Sequence, residues 1–204
     1  MNIGVDKNQF SGSHFQSNFR NHRIMVRNGH KLTPLVLPYG DYCEVTQAVE
    51  DTILRRGDRL KKMDLVGDIK VAVDRKNSID EICGNICSST KAHERFRDEV
   101  ILAQKCGCKF YVLVEDEKVK NLDDLERWEN PRAKKYFIKK ARMAKGYNYS
   151  TPLPKQPPAS GKTLAKALRT MMDKYGFEVV FTEPKYAGKK IVELLEKGKR
   201  KEGD

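Results

Sequence analysis

Two aspartates and a lysine, Asp68, Asp74 and Lys76, share sequence parity, so one extended strand or a regular hairpin would carry all three on one side. Met63 and Leu65 before Gly67, and Ile69, Val71 and Val73 after it, alternate on the opposite side. One face of the segment is therefore expected to be apolar, with Asp68, Lys70, Ala72 and Asp74 on the other. Carboxylates gathered in this way bind Mg2+ or Mn2+ through hard oxygen ligands. A metal so held activates water and offsets charge on a phosphate, and a lysine orients the water or stabilises the phosphorus centre. An exposed strand face of alternating charge is the structural explanation that competes for the same triplet.

The elements that must position these groups read as α/β. Leu35, Val36 and Leu37 lie between Pro34 and Pro38, as in a short buried strand ending at a turn. Val45, Val49 and Ile53 recur at helical spacing up to Gly57, which suits a helix terminus. Ser78 with Glu81 resembles a helix-start capping box, and Phe96, Val100 and Ala103 mark a helix over 91–106. Residues 110–114 are uninterruptedly apolar, as in a central strand covered on both faces. A helix from Thr163, a strand over 178–181 and a helix over 185–197 complete the rhythm.

Composition bounds the partners. The chain has 204 residues, with 40 Lys and Arg against 28 Asp and Glu, for a formal charge of +12. That length suits one domain, and the charge favours a polyanion, with DNA the first candidate. Residues 1–32 hold five cations and one acid with no sustained apolar period, and are expected to be a flexible basic arm. Residues 117–160 carry eleven cations against five acids and end in Pro152, Pro154, Pro157 and Pro158, a pattern read as a basic insertion. Within it Lys134, Lys135, Lys139 and Lys140, interleaved with Tyr136 and Phe137, suit a phosphate backbone as well as they suit a solvated helix face. Residues 198–204 read as a charged tail.

Other chemistries find little support. The five cysteines are odd in number and lack CxxC spacing, and His14, His22, His30 and His93 form no ligand pattern. Gly161, Lys162 and Thr163 fail as a phosphate loop, because Gln156 stands where the first glycine is required. No signal peptide or membrane span is visible, so the expectation is a cytoplasmic protein, or a phage protein acting in the host cytoplasm.

The longer string Gly67, Asp68, five residues, Asp74, Arg75, Lys76, three residues, Asp80 resembles the XPF family of structure-specific nucleases, whose motif reads GD, a variable gap, ERK and a further Asp. Upstream, Asp41 and Glu44 precede Arg55, Arg56 and Gly57 in the manner of the family's D-x-x-E before a helix ending in RRG. Downstream, Arg95 and Glu99 fall where the family shows an Arg and a Gln. The resemblance covers about residues 35–116 and returns over 163–195. It implies a restriction-endonuclease-like α/β fold, a central mixed sheet flanked by helices, over residues 33–197. It also implies Asp68 and Asp74 as the principal metal ligands, Lys76 as the catalytic lysine, and Asp41, Glu44 and Asp80 as supporting acids, with Arg75 and Arg95 toward DNA. Asp74 stands in place of the usual Glu, and the gap from Asp68 is short.

The expected activity is Mg2+- or Mn2+-dependent hydrolysis of DNA, on branched or flapped substrates in recombination and repair, by a compact microbial or phage protein that pairs with itself or with a nuclease partner. Neither a helicase nor a helix-hairpin-helix domain fits in this length. A non-catalytic nucleic-acid-binding module of the same fold, or a restriction-type duplex nuclease, are the alternatives.

Overall fold

A computed structural model of the chain describes residues 1–11, 15–87 and 91–199. In chain order they form β1 (Asn2–Asp6), α1 (Phe15–Arg27), β2 (Lys31–Leu35), β3 (Tyr42–Glu44), α2 (Gln47–Arg56), β4 (Val71–Lys76), α3 (Ile79–Cys87), α4 (Lys91–Lys105), β5 (Lys109–Glu115), α5 (Leu122–Glu126), α6 (Pro131–Ala144), α7 (Gly161–Tyr175), β6 (Glu178–Thr182) and α8 (Ala187–Lys199). The strands make one mixed sheet in the order β2-β1-β3-β4-β5-β6. β3 is antiparallel to both β1 and β4, and the other neighbours run parallel.

Each face of the sheet has its own apolar layer. On one, Ala72, Phe110, Val112 and Val114 pack with side chains of α2, α3, α4 and α7. On the other, Ile3, Val5, Tyr42, Val71, Val73, Tyr111 and Leu113 meet Met25 of α1 and Ile191, Leu194 and Leu195 of α8. The apolar run in β5 is thus covered on both sides, as its composition requires. Alternation within β4 is also as expected, since Val71 and Val73 enter one layer and Ala72 the other. Asp74 and Lys76 continue the Ala72 face, which brings two charged residues under α3 and α4.

Several expectations are corrected. The described residues of the expected arm, 1–11 and 15–32, are built into the fold: β1 sits between β2 and β3, with Ile3 and Val5 wholly buried. The domain therefore includes the amino-terminal segment that the sequence had assigned outside 33–197. The strand near Leu35–Leu37 ends at Leu35, and Met63–Leu65 form a 3-10 turn instead of a strand. The segment over 117–160 contains α5 and α6, and Leu125 anchors it in the main core. Gly198 belongs to α8 and lies so close to Val71 that a Cβ there would clash. The rest of the expected tail, residues 200–204, and His14 lie outside the described residues. All five cysteines are free, and among the described residues no helix is long and apolar enough to cross a membrane.

Candidate active site

The carboxyl-terminal half of β4 supplies the two charged groups of the site. Asp74 lies beside Val112 and Lys76 beside Val114 of β5, so the parallel pairing fixes both backbones in the interior of the sheet. The two residues are only 4% and 8% exposed. The Lys76 Nζ donates to Asp74 Oδ1 at 3.0 Å and forms an ion pair with Oδ2 at 2.8 Å. The ammonium also stands 5.4 Å from the centre of the Phe96 ring on α4, a cation–π contact.

A third charged group arrives from the turn before β3. Gly40 adopts φ +69°, and an added Cβ would come within 3.2 Å of the Val73 carbonyl oxygen. Only glycine lets the chain approach β4 so closely with that conformation. The next residue, Asp41, is thereby pinned. Its N–H donates to the Val73 carbonyl, and its own carbonyl accepts from the Asp6 N–H. One carboxylate oxygen accepts from the Arg75 backbone N–H at 2.8 Å and the other from Gln9 Nε2 at 2.7 Å. Asp41, Asp74 and Lys76 line a common cavity of about 420 Å³, together with Asp6, Arg95 and Glu99.

The charges in this cavity are strongly coupled. Burial, and then the neighbouring Asp74 carboxylate, push the Asp41 pKa well above the usual carboxylate range. Burial alone would lower the Lys76 pKa, yet the Asp74 and Asp41 carboxylates outweigh it and keep the ammonium charged beyond its ordinary range. Glu99 is likewise raised, first by burial and then by Asp74, while Lys62 stands 3.7 Å from its carboxylate. An excess of crowded carboxylates over cations is an arrangement that an added divalent cation relieves.

The donor set fits such a cation. Asp41 and Asp74 offer hard oxygens at a cavity open to solvent, and Asp74 Oδ2 is buried without a hydrogen-bond partner. Among the described residues there is no cluster of three or more His, Cys, Asp or Glu side chains arranged around one ion position. Two carboxylates with the remaining positions left to water and phosphate suit Mg2+, which rarely takes a cage made wholly of protein.

Three sequence-based assignments lie outside the cavity lining, and a fourth has its charge engaged. Asp68 lies before β4 starts, after Gly67 at φ +90°, so parity no longer relates it to Asp74. Its carboxylate accepts from Thr52 Oγ1 at 2.7 Å and fastens the loop to α2. Asp80 is paired with Arg132 at 2.7 Å on the surface. Glu44 sits in β3 opposite Ile3, outside the cavity lining. Arg75 is among the cavity-lining residues, but its guanidinium is buried, ion-paired with Glu115 and hydrogen-bonded to Asn18. Arg95 does line the cavity, and Lys134, Lys135 and Lys140 are exposed on α6. Lys139 instead donates to the Thr151 carbonyl and rests over the Tyr149 ring.

The sequence reading passed over Asp6, Gln9, Asn18, Lys62 and Glu99 as site residues. One signal was available: Gly40–Asp41 is itself a Gly–Asp pair that follows the apolar residues Leu35–Leu37. With that pair in the motif, the gap to Asp74, Arg75 and Lys76 is long and holds β3, α2 and two 3-10 turns. Residues 5–194 match the family model described as the ERCC4 domain. No curated protein shows significant similarity to the chain.

Proposed function

The chain belongs to the ERCC4 domain family, the nucleases of XPF type, and from that premise we propose that it hydrolyses DNA phosphodiester bonds in a reaction dependent on Mg2+ or Mn2+. The observation that carries this reading is the convergence of Asp41, Asp74 and Lys76 on one cavity, with Lys76 ion-paired to Asp74. Asp41 and Asp74 are the residues that would hold the metal. When bound, it supplies Lewis acidity toward the phosphate and lowers the pKa of water.

The remaining work falls to side chains of the chain. Lys76, charged at every pH of interest and screened from bulk water, donates to a phosphate oxygen and offsets the negative charge that grows there during attack. Gln9 and the Arg75 backbone N–H keep both oxygens of Asp41 oriented. Arg95 at the cavity rim holds a neighbouring phosphate. The exposed cations of α6 extend the positive surface along the DNA. Branched or flapped DNA is the substrate class that the family supports, and self-association or a nuclease partner follows from the same kinship.

The deciding experiment measures cleavage of labelled single-stranded, duplex, flap and four-way-junction DNA with Mg2+ or Mn2+, with binding followed in parallel. Asp41→Asn, Asp74→Asn and Lys76→Ala should each lower cleavage by about a hundredfold or more while binding survives. Asp68→Asn should cut within a few-fold of the parent, because its carboxylate serves the loop. Loss of cutting in Asp68→Asn with full activity in Asp41→Asn would sink this assignment. Binding without cutting on every substrate would favour a non-catalytic module.

A further inference from the structure

A second concavity lies on the other side of α3 from the catalytic cavity. It is a groove of about 860 Å³ between α6, α7 and the Pro-rich segment, with Trp128, Phe137, Pro157 and Pro158 among its walls and Lys134 at its edge. Asn130 holds the walls together, since its Nδ2 donates to the Ala159 carbonyl and its Oδ1 caps the first turn of α6. Of the α6 side chains only Tyr136 is buried, and Phe137 is 54% exposed. An apolar helix face left open in this way is unusual beside so many charges.

The charge around it selects the occupant. Residues 132–145 contain seven cations, Arg132, Lys134, Lys135, Lys139, Lys140, Arg142 and Lys145, and no acid; Lys134 lines the groove itself, whose lining holds one acid, Glu129. Aromatic planes interleaved with cations match unpaired nucleobases on a phosphate backbone, because every base offers a π-face and every linkage a negative charge. A duplex keeps its bases stacked inside and presents only phosphates and groove edges, so it has no use for Trp128 and Phe137.

The geometry points to this groove as a binding site for a single-stranded DNA segment, and it rests on the reading of the chain as a DNA nuclease. α3 connects the two sites: Glu81 lines the catalytic cavity and Ile86 lines the groove. Five residues of helix separate them, about 7.5 Å along the axis. A strand whose unpaired bases lodge at Phe137 and Trp128 would therefore lie against the same helix whose other end borders the cavity.

Trp128 is the sole tryptophan, which provides the test. The full chain in EDTA would be titrated with a short oligothymidylate and with a blunt duplex of equal length, following tryptophan emission. Saturable quenching by the single strand and not by the duplex is expected. Phe137→Ala, which removes an exposed ring and should leave the thermal melt unchanged, is expected to weaken single-strand binding by about tenfold or more. Phe137→Tyr should restore it, and duplex affinity should not change in either variant. Equal quenching by duplex, or unaltered single-strand affinity in Phe137→Ala, would overturn the proposal. Failure here with metal-dependent cutting intact would leave the nuclease reading standing, whereas intact quenching in a wild-type protein that never cuts would count against the nuclease alone.

Discussion

The Asp41 carboxylate accepts a hydrogen bond from the backbone N–H of Arg75 at 2.8 Å, so the peptide between Asp74 and Lys76 positions the acid that faces them. The same residue, Arg75, sends its side chain to the opposite face of the sheet and pairs there with Glu115. One strand thus orders the cavity above it and the ionic layer below it.

Gln9 holds the other oxygen of Asp41, and Asn18 Nδ2 in turn donates to the Gln9 carbonyl at 3.0 Å. Groups that orient a metal-holding carboxylate typically matter by 10–100-fold, expressed as metal affinity (about 10–100-fold). Gln9→Ala is expected to raise the Mg2+ concentration needed for half-maximal cleavage by about that factor, with activity recovered at high Mg2+. A lowered plateau at saturating metal would mean that Gln9 does something other than orient Asp41.

The buried pair of Arg75 and Glu115 predicts an asymmetric stability response. Both side chains are almost wholly excluded from solvent, and Glu115 is the carboxylate paired with Arg75, so removing Glu115 leaves a buried guanidinium without its counter-charge. Glu115→Ala should cost about 3–5 kcal/mol in urea unfolding. Arg75→Met combined with Glu115→Leu should recover most of that loss, which a chain of simple additive contacts would not do.

His22 should contribute an acid-sensitive component to stability. Burial, followed by the charge of Arg75, lowers its pKa from 6.5 to about 4, and its Nε2 lies 3.4 Å from the Tyr42 hydroxyl. Because the depressed pKa belongs to the folded state, the unfolded chain binds the extra proton. Its contribution is complete above pH 6.5 and is lost as pH falls toward 4. His22→Gln should make the stability profile shallower by up to about one proton across that window. Superimposable slopes for variant and parent would remove His22 from the account.

Asp41 works in the other direction. Its pKa is raised by burial and by Asp74, so its contribution is present at acid pH and is lost as pH rises through the folded value. A divalent cation favours the ionised carboxylate and should offset that loss. Mg2+ at a hundred times its Kd stabilises the folded state by about 2.7 kcal/mol, and it should therefore raise the melting temperature more at pH 8 than at pH 5. Asp41→Asn should abolish the pH dependence of the increment. Chelation with EDTA should return the parent protein to its metal-free melting curve.

The sequence displays some of these elements openly and conceals others for physical reasons. The run over 110–114 and the alternation of Val71, Ala72 and Val73 announce β5 and β4, because burial on both faces leaves no room for polar side chains except at the site. α1 gave no such signal, since the stripe it buries is polar. Asn18, Asn21, His22 and Met25 are buried at helical spacing while Phe19 and Val26 are exposed, an inversion of the usual amphipathic pattern. β1 has only Ile3 and Val5 to bury, and the close approach of Cys43 requires Gly4 between them. Asp74 and Lys76 were legible from their spacing. Asp41 was named as a supporting acid, but its placement beside Asp74 depends on β3 pairing with β4, a contact across about thirty residues that local periodicity does not reveal.

The position of β1 also bears on how far the protein can be trimmed. Its five residues are the bond between β2 on one flank and the block from β3 to β6 on the other. The last of them, Asp6, and Gln9 just after it both hydrogen-bond to Asp41. A short segment with only two apolar side chains is therefore a keystone, and a chain cut to begin where the apolar pattern first becomes regular would lose both its sheet continuity and the hydrogen bonds that hold Asp41.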